Sequence, residues 1–468
     1  MTPRRTEGLR VTLLALLACL LALVGYLVVA SSRQLLADRS FRPIRIPAAA
    51  APAADLGNAL STAPPAAIPV DHDAPVPSPA GVAAVLAAPL TAPELGPSVS
   101  AQVLDAQTGN SLYGQRAEAS VAPASTSKLF TAAALLTVHQ PTDRFSTSVV
   151  AGASPGTVVL VGGGDPTLSA APAGQQPAYP EAGRIFELAG KVRTALGGTA
   201  VTRVLVDDSL FTGPTTAPGW APEDAPSSYA SPITAAMVDG GRDAPAAVIR
   251  SGTPDLAAGA ALARALGGAP VSLGTAPAGA RLLGGEQSAP VGVLVEQMLR
   301  DSDNVLAEVL SRQVALAAQR PASFAGGAAA IRDTLAPLGI AVGTGMRDGS
   351  GLSVLDRAPA DALSQVLVKA AATDQPRLRP VLSGLSVAGW DGSLVEQDRF
   401  TGAAAIADGA VRAKTGSLTG VSAMAGVVTD ADGRQLVFAF IADRAPAEGP
   451  TRAAIDRLAA ALVPCGCR

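Results

Sequence analysis

Residues 123–130 read PASTSKLF and are followed by the alanine-rich run TAAALLTV, residues 131–138. Alanine and leucine favour helices, so the stretch predicts an α-helix over about residues 125–138. Residues three apart lie on one face of a helix, and Ser125 and Lys128 would therefore point into the same cleft. Near the helix N-terminus, Ser125 also presents its backbone N–H group to an anion. A helix cap followed by a solvated lysine is the structural alternative.

Lysine is rare in this chain of 468 residues. Four of its 35 Lys and Arg residues are lysines, namely Lys128, Lys191, Lys369 and Lys414. Arginine stays protonated in proteins, whereas lysine can lose its proton when it is buried or lies beside another cation. A lysine three residues after a serine therefore hints at a deprotonatable amine.

Composition and charge exclude several classes of function. The formal net charge is −3, so the chain lacks the basic field that a nucleic-acid partner requires. Neither GxxxxGK[ST] nor GxGxxG stands between a strand pattern and a helix pattern, which argues against nucleotide chemistry. Hydrophobic residues make up 48% of the chain and aromatic residues 3%, and the cores are expected to be aliphatic.

Histidine cannot provide the base for a nucleophile at Ser125. The chain has two histidines, His72 and His139. On the predicted helix, His139 would lie roughly 21 Å from Ser125. A Ser-His-Asp triad is therefore excluded, and the base has to be another residue. Lysine can take that role.

The cysteines do not have the spacing of a metal site. Cys465 and Cys467 stand almost at the C-terminus, and two cysteines with two distant histidines cannot form a zinc site of usual spacing. We predict no metal and no cofactor. We also predict a disordered C-terminal tail, with a disulfide between these cysteines or to another chain as the alternative.

The N-terminal part of the chain predicts an anchor and a tether. Residues 11–30 form an uncharged apolar run long enough to span a bilayer. We favour an uncleaved signal anchor, while cleavage after Ala30 stays open. Residues 31–97, rich in alanine and proline from position 46, read as a linker that cannot bury enough apolar surface to fold. Order is expected to begin near Ser98.

Beyond the linker, strand and helix patterns are mixed rather than regularly alternating. Hairpin turns are predicted at Thr108-Gly109-Asn110 and at Asp432-Gly433. The mixture predicts an α+β fold with an antiparallel sheet flanked by helices. The other predicted elements are strands at 158–168 and 201–211 and helices at 183–196, 254–266, 291–317 (interrupted near 301–303) and 450–462.

Two more short motifs follow the first. Residues 302–304 read Ser-Asp-Asn, and Asn304 is one of only three asparagines. Residues 414–416 read Lys-Thr-Gly on a predicted strand, where glycine lets a ligand approach the strand edge. A helix cap and an ordinary strand end are the structural alternatives. Ser-x-x-Lys, Ser-x-Asn and Lys-Thr-Gly in this order form the combination of penicillin-binding proteins and class A β-lactamases.

The chain resembles the class C low-molecular-mass penicillin-binding proteins, which are D-alanyl-D-alanine carboxypeptidases and endopeptidases. The resemblance covers about residues 98–462 and rests on PASTSKLF, VGGGDPTL (161–168), RDSDN (300–304), DGSGLS (348–353) and AKTGSLTG (413–420). It implies a serine β-lactamase/DD-peptidase-like fold with a smaller domain inserted between the first two motifs. The implied division is 1–30 for the cytoplasmic tip and membrane helix, 31–97 for the linker, 98–144 and 286–468 for the peptidase domain, and 145–285 for the inserted domain.

The resemblance also implies catalytic roles. Ser125 attacks the carbonyl carbon of D-Ala-D-Ala, and a neutral Lys128 takes its proton. The ammonium group of Lys414 nearby, together with partial burial, would lower the pKa of Lys128. Ser302 relays a proton towards the leaving D-alanine, and Asn304 holds the substrate amide.

Further residues are implied to bind the substrate. Lys414 and Thr415 bind the terminal carboxylate, and the backbone N–H groups of Ser125 and Ser417 form the oxyanion hole. Gly416 lies on the strand edge, the DGSGLS loop with Ser350 and Gly351 lines the cleft, and Asp165 reaches the side chain of the substrate. Val354 departs from the family pattern, in which an arginine often follows GLS, because valine cannot hold a carboxylate bidentately.

The implied substrates are peptidoglycan stem peptides, and the implied inhibitors are β-lactams. The expected location is the extracytoplasmic face of the cell envelope, with a membrane anchor through residues 11–30, or secretion if the signal is cleaved. A serine β-lactamase and a catalytically silent wall-binding protein are the two alternatives. The intact motifs disfavour the silent protein.

Overall fold

The computed structural model describes residues 70–395 and 399–468. Its strands are β1 Val99–Asp105, β2 Ser111–Gln115, β3 Ser146–Ala151, β4 Thr157–Val161, β5 Arg203–Asp207, β6 Val271–Leu273, β7 Leu282–Gln287, β8 Ser386–Val387, β9 Val411–Leu418, β10 Val421–Thr429 and β11 Gln435–Asp443. Its α-helices are α1 Pro79–Leu90, α2 Lys128–Val138, α3 Ile185–Leu196, α4 Pro254–Ala265, α5 Val291–Arg300, α6 Asn304–Ala317, α7 Phe324–Leu335, α8 Ala360–Ala371, α9 Arg379–Ser383 and α10 Glu448–Ala461. A 3-10 turn, Ala124–Ser127, directly precedes α2.

The central sheet has the strand order β2-β1-β11-β10-β9-β8, and each neighbouring pair is antiparallel. Its middle strands are buried along nearly their whole length because helices cover both faces. Side chains alternate between the two faces of a strand. On β10, Ala423 and Ala425 pack in the core that contains α2, α5, α6 and α8, whereas Met424 and Val428 pack in the core that contains α1 and α10. The predicted α+β fold is confirmed.

A second sheet is built from the chain between the first and second motifs. Its strand order is β6-β5-β4-β3-β7, with parallel pairing in β4–β5 and β5–β6. Leu188 of α3 and Leu262 of α4 belong to the same buried cluster as Val158 and Leu160 of β4. The described residues lie within one compact unit. The boundaries 98–144, 145–285 and 286–468 therefore remain a prediction.

The linker prediction for residues 31–97 is wrong at its C-terminal end. Helix α1 begins at Pro79, after Ser78, whose side-chain oxygen accepts a 3.1 Å hydrogen bond from the N–H group of Gly81. Val82 and Leu86 are fully buried beside α10. An alanine-rich segment can fold here because it packs on an existing apolar face.

The predicted disorder of the C-terminal tail is also wrong. Cys465 and Cys467 form a disulfide, and Cys465 is buried. The carbonyl oxygen of Cys467 accepts a hydrogen bond from the N–H group of Ser78. The tail is therefore held against the start of α1.

The apolar run at residues 11–30 lies outside the described residues. Among the residues that the structure does describe, no helix is both long and apolar enough to cross a membrane.

Candidate active site

A cleft of about 940 Å³ brings the three sequence motifs together. Its lining includes Ser125, Ser302, Asp303, Asn304, Gly351, Leu352, Thr415, Gly416 and Ser417. The chain between the first two motifs contributes Tyr179, Tyr229, Arg242 and Arg250 to the same lining. Residues of all three motifs thus line one cleft.

The first motif begins in the 3-10 turn rather than in the helix itself. Ser125 lies in this turn, and Lys128 is the first residue of α2. Ala124 has a φ of 49°, a left-handed conformation that costs a non-glycine residue about 1–3 kcal/mol. Gly351 packs directly over it, because a Cβ atom there would come within 1.9 Å of the Ala124 carbonyl oxygen. The glycine of DGSGLS thus allows the loop to close on the turn that carries Ser125.

The amine of Lys128 is fully buried and lies 3.0 Å from the Oγ atom of Ser125. The same nitrogen lies 2.6 Å from Oδ1 of Asn304 and 2.8 Å from the carbonyl oxygen of Ser350. Both of these oxygens can only accept hydrogen bonds. A neutral amine has two N–H bonds and one lone pair, so the lone pair remains for the hydroxyl of Ser125. This arrangement allows Lys128 to take the Ser125 proton.

Burial lowers the pKa of Lys128 to about 8, although the carboxylates of Asp348, Glu308, Asp303 and Asp356 oppose the shift. Burial also lowers the pKa of Lys414 well below its ordinary value, and the positive charges of Lys128 and Arg399 add to this shift. The two buried amines therefore compete for one proton, and the nearby carboxylates favour the charge on Lys128 while the cleft is empty.

The second motif forms the N-terminus of α6. Ser302 lines the cleft with a left-handed φ of 55°. Asp303 caps the helix by accepting a 3.0 Å hydrogen bond from the N–H group of Leu306. Asn304 is almost fully buried and donates from Nδ2 to the carbonyl oxygen of Tyr229 at 3.2 Å. Asp303 therefore acts as a helix cap, which was the structural alternative to a catalytic role for this motif. Asn304, in contrast, contacts Lys128.

Asp303 also forms a buried ion pair. Its Oδ2 atom lies 3.1 Å from Arg250 and accepts a 2.6 Å hydrogen bond from the hydroxyl of Tyr179. Burial alone would raise the pKa of Asp303, but Arg250 and Tyr179 together lower it to about 2. The network fixes residues 179 and 250 against the start of α6.

The third motif lies on β9. Thr419-Gly420 is a two-residue turn, so Leu418 and Val421 form the first hydrogen-bonded pair of the β9–β10 hairpin. Ser417 occupies the next position, at which the N–H group points away from β10. A Cβ atom at Gly416 would lie 2.9 Å from the backbone nitrogen of Ser125. Glycine therefore lets β9 pass close to the nucleophile.

Hydrogen bonds hold the side chains of Lys414, Thr415 and Ser417 in place. Lys414 is fully buried and donates to the carbonyl oxygen of Thr415 at 2.8 Å. The Thr415 hydroxyl donates to the Oγ atom of Ser393 at 2.7 Å. Arg452 donates from Nε to the Oγ atom of Ser417 at 3.2 Å.

Asp165 does not meet its predicted role. Its side chain is buried, and Oδ1 accepts hydrogen bonds from the N–H and hydroxyl groups of Thr167 at 2.8 Å and 2.6 Å. Burial raises the pKa of Asp165 to about 6. The residue does not belong to the cleft lining, so the expectation that it reaches a substrate side chain is not met.

Sequence reasoning did not identify Glu308, Tyr179 or Arg250 as residues of the site, and it included Asp348 only as part of the DGSGLS loop. One signal was available for Glu308, which interrupts the apolar side of α6 one helical turn after Asn304. Tyr179 and Arg250 gave no signal, because only the folded chain brings them to Asp303. In the part of the chain that the structure describes, no group of three His, Cys, Asp or Glu side chains could hold a metal ion.

A serine facing a buried lysine, on an antiparallel sheet flanked by helices, defines the class of penicillin-binding serine peptidases and serine β-lactamases. Within that class, the chain belongs to the D-Ala-D-Ala carboxypeptidase 3 (S13) family, whose model matches residues 82–248 and 242–462. It is a serine-type D-Ala-D-Ala carboxypeptidase, and the predicted resemblance to class C low-molecular-mass penicillin-binding proteins is confirmed.

Several relatives cover nearly the whole chain. Carboxypeptidase DacB of Mycolicibacterium smegmatis is 45% identical over 99% of both chains. A carboxypeptidase of Mycobacterium tuberculosis is 46% identical over 86% of this chain and 87% of the relative. The crystal structure of penicillin-binding protein 4 from Haemophilus influenzae shares the fold, with a TM-score of 0.65, 21% identity, and coverage of 81% of this chain and 97% of that one.

Proposed function

We propose that this carboxypeptidase hydrolyses the terminal D-Ala-D-Ala bond of peptidoglycan stem peptides through an acyl-enzyme on Ser125. The observation that carries the proposal is the position of the Lys128 amine, 3.0 Å from the Ser125 hydroxyl, with two pure acceptors on its other sides. Lys128 removes the hydroxyl proton while Ser125 Oγ attacks the carbonyl carbon. The acyl bond forms as the peptide C–N bond breaks, and the released D-alanine takes up a proton.

The developing oxyanion is stabilised by the backbone N–H groups of Ser125 and Ser417. Support comes from the β9 register, which turns the Ser417 N–H group away from β10, and from the close passage of Gly416 by the Ser125 nitrogen. Donors of this kind typically contribute a factor of about 10²–10³ each.

Lys414 and Thr415 bind the terminal carboxylate of the substrate. An incoming carboxylate favours the charged form of Lys414, which is disfavoured in the empty cleft. The proton then resides on Lys414, and its charge in turn favours a neutral Lys128. Carboxylate binding would thus prepare the base.

Ser302 and Asn304 act at the leaving-group side. Ser302 lines the cleft and is proposed to pass the proton to D-alanine. Asn304 is proposed to orient the Lys128 amine through Oδ1 and to hold the substrate amide when the stem peptide enters.

The proposed location is the extracytoplasmic face of the cell envelope, with residues 11–30 as a membrane anchor. The support is the uncharged apolar run of these residues and the family's peptidoglycan substrate. β-Lactams are the proposed inhibitors, and penicillin-binding protein 4 of Haemophilus influenzae has itself been solved in complex with a β-lactam.

The test combines fluorescent penicillin labelling with digestion of purified pentapeptide muropeptides by the full chain. Release of D-alanine from these, but not cleavage of cross-linked dimers, would define a pure carboxypeptidase; cleavage of both would add endopeptidase activity. Ser125→Ala should abolish labelling and digestion, while the matched control Ser127→Ala should retain both, because the Ser127 hydroxyl is buried without a hydrogen-bond partner. Labelling of the Ser125→Ala protein would show that another residue is the nucleophile. A wild type that is not labelled would support the alternative of a catalytically silent wall-binding protein.

A further inference from the structure

Glu308 lies on α6 one helical turn after Asn304, so both side chains point to the same side of the helix. Its carboxyl group is completely buried. A buried carboxylate is retained only where hydrogen bonds and charges compensate its lost hydration. Arg312, one turn further along α6, lies 3.6 Å from Oε2 of Glu308 and supplies part of that compensation.

The other compensation comes from the DGSGLS loop. Oε1 of Glu308 accepts hydrogen bonds from the N–H groups of Gly349 at 3.0 Å and Ser350 at 2.7 Å. Asp348, inside the loop, accepts from the N–H groups of Gly351 at 2.7 Å and Ser353 at 2.8 Å. The loop therefore turns its N–H groups inwards, towards two buried carboxylates.

With its N–H groups turned inwards, the loop presents carbonyl oxygens to α2. The carbonyl oxygen of Ser350 accepts a 2.8 Å hydrogen bond from the Lys128 amine, and that of Gly349 accepts a 2.6 Å hydrogen bond from the Thr131 hydroxyl. The Ser350 carbonyl takes one of the two N–H bonds of a neutral Lys128. Ser350 thus connects Glu308 to the proposed base, because its N–H group donates to Glu308 and its carbonyl oxygen accepts from Lys128.

We propose that Glu308 is a positioning residue for acylation: its carboxylate fixes the peptide N–H groups of Gly349 and Ser350, so that the Ser350 carbonyl orients the Lys128 amine towards Ser125. The inference rests on the proposed acyl-enzyme at Ser125. Glu308 touches neither the substrate nor the reacting atoms; it orients the amine through the loop, and its negative charge also raises the pKa of Lys128.

The charge of Glu308 also makes its role depend on pH. Burial, with the nearby charge of Asp348, raises the pKa of Glu308 to about 7. Below that pH the wild type itself loses the carboxylate that holds the loop. The titratable groups that act on Lys128 or on Glu308 when they are charged are Asp303, Arg312, Asp348, Asp356 and Lys414; of these, Asp356 is neutral near physiological pH.

Glu308→Gln removes the negative charge and places an amide against backbone N–H groups. Above pH 8 the variant should acylate about 100-fold more slowly than wild type, the loss typical of a small misplacement of a catalytic group. Below pH 6 the ratio of the two rates should narrow, because the wild type has then protonated Glu308 and has lost the same negative charge as the variant.

The control is Asp356→Asn, which alters another carboxyl group of the same buried cluster. Burial, with the charge of Asp348, raises the pKa of Asp356 to about 10, so the group is neutral near physiological pH. Asparagine keeps the Oδ1 acceptor for the N–H group of Arg347. This variant should acylate at the wild-type rate from pH 6 to pH 8.

The experiment measures the second-order rate of acylation of the full chain by benzylpenicillin from pH 5.5 to pH 9, with thermal melting of each variant alongside. A wild-type to Glu308→Gln ratio that falls towards acid pH supports the inference, and a ratio independent of pH overturns it. If Glu308→Gln does not fold, Glu308→Asp decides: its shorter carboxylate cannot reach both N–H groups, and a wild-type rate would overturn the inference. A wild type that is never acylated at Ser125 refutes the proposed function instead.

Discussion

The amine of Lys128 lies 2.6 Å from Oδ1 of Asn304, although the two residues are 176 positions apart in the sequence. This contact joins the first motif to the second. It also restricts the protonation chemistry of the site, because the amide oxygen accepts one N–H bond of Lys128 without adding a full negative charge beside it. The position therefore favours asparagine over aspartate.

Asn304→Asp tests this relationship. A carboxylate beside the amine should raise the pKa of Lys128 from about 8 by roughly 1–3 units. The neutral amine would then form only at higher pH, so the acid limb of the acylation rate should move upwards and the rate at pH 7 should fall about 10- to 1000-fold. The pH dependence of benzylpenicillin acylation measures both effects.

Two controls separate charge from packing in that experiment. Asn304→Ala removes the acceptor without adding charge, and its acid limb should not move upwards. Asn110→Asp makes the same change in an exposed hairpin turn and should behave as wild type. An unmoved acid limb in Asn304→Asp would mean that Lys128 is not the base.

Substitution by arginine should reduce the acylation rate much more at Lys128 than at Lys414. Lys128→Arg should lose at least about 1000-fold in acylation, nearly as much as Lys128→Ala, because arginine cannot give up a proton to become a base. Lys414→Arg should keep part of the activity, since its proposed contribution is a charge and a hydrogen bond. Acylation rates for the three variants check this, and equal losses at both positions would show that the roles are assigned wrongly.

The three motifs could be predicted from the sequence because their chemistry depends on short spacings. Ser125 and Lys128 are three residues apart, and the sequence alone places them on one side of a turn. Asp165 was misplaced because a motif does not report burial, and its carboxylate in fact bonds Thr167.

Long-range packing accounts for the other differences. Helix α1 has an alanine- and proline-rich composition that does not predict folding, yet its Val82 and Leu86 are buried beside α10. Similarly, Glu308 and Asp348 are 40 positions apart, and only the folded loop shows that they hold neighbouring N–H groups, those of Ser350 and Gly351. Neither the packing of α1 beside α10 nor the pairing of Glu308 and Asp348 around one loop can be read from residues that are neighbours in the sequence.

The buried pair of Arg250 and Asp303 should control stability as a function of pH. Arg250→Ala leaves Asp303 buried without its partner, and we expect a loss of about 3–5 kcal/mol in the free energy of unfolding at pH 7. In wild type, the lowered pKa of Asp303 contributes stability above the ordinary aspartate pKa, and this contribution disappears as the pH falls towards 2. The difference between variant and wild type should therefore shrink below pH 4.

Urea unfolding of both proteins at pH 7 and pH 3.5 measures this difference. Arg320→Ala is the matched control, because Arg320 forms an exposed ion pair with Asp333 that should contribute less than about 1 kcal/mol. A loss for Arg250→Ala that does not depend on pH would show that packing, and not the charge of Asp303, accounts for the destabilisation.

The lifetime of the penicillin adduct separates the peptidase from a β-lactamase. The ester on Ser125 is released only if a positioned base activates water against it. In class A β-lactamases a separate glutamate does this during deacylation. The cleft lining contains four carboxylates that are already engaged: Asp303 pairs with Arg250, Glu448 pairs with Arg452, Asp301 accepts a hydrogen bond from Gln297, and Asp224 accepts one from the N–H group of Ala221.

The ester should therefore outlast a normal turnover by orders of magnitude, whereas water reaches the natural D-alanyl ester once D-alanine has left. Incubating the full chain with benzylpenicillin and following its intact mass over an hour tests this. An adduct that persists on Ser125 supports a penicillin-sensitive peptidase. Clearance within seconds with catalytic consumption of the drug would identify a β-lactamase, and the deacylating base would then have to be sought among the cleft carboxylates.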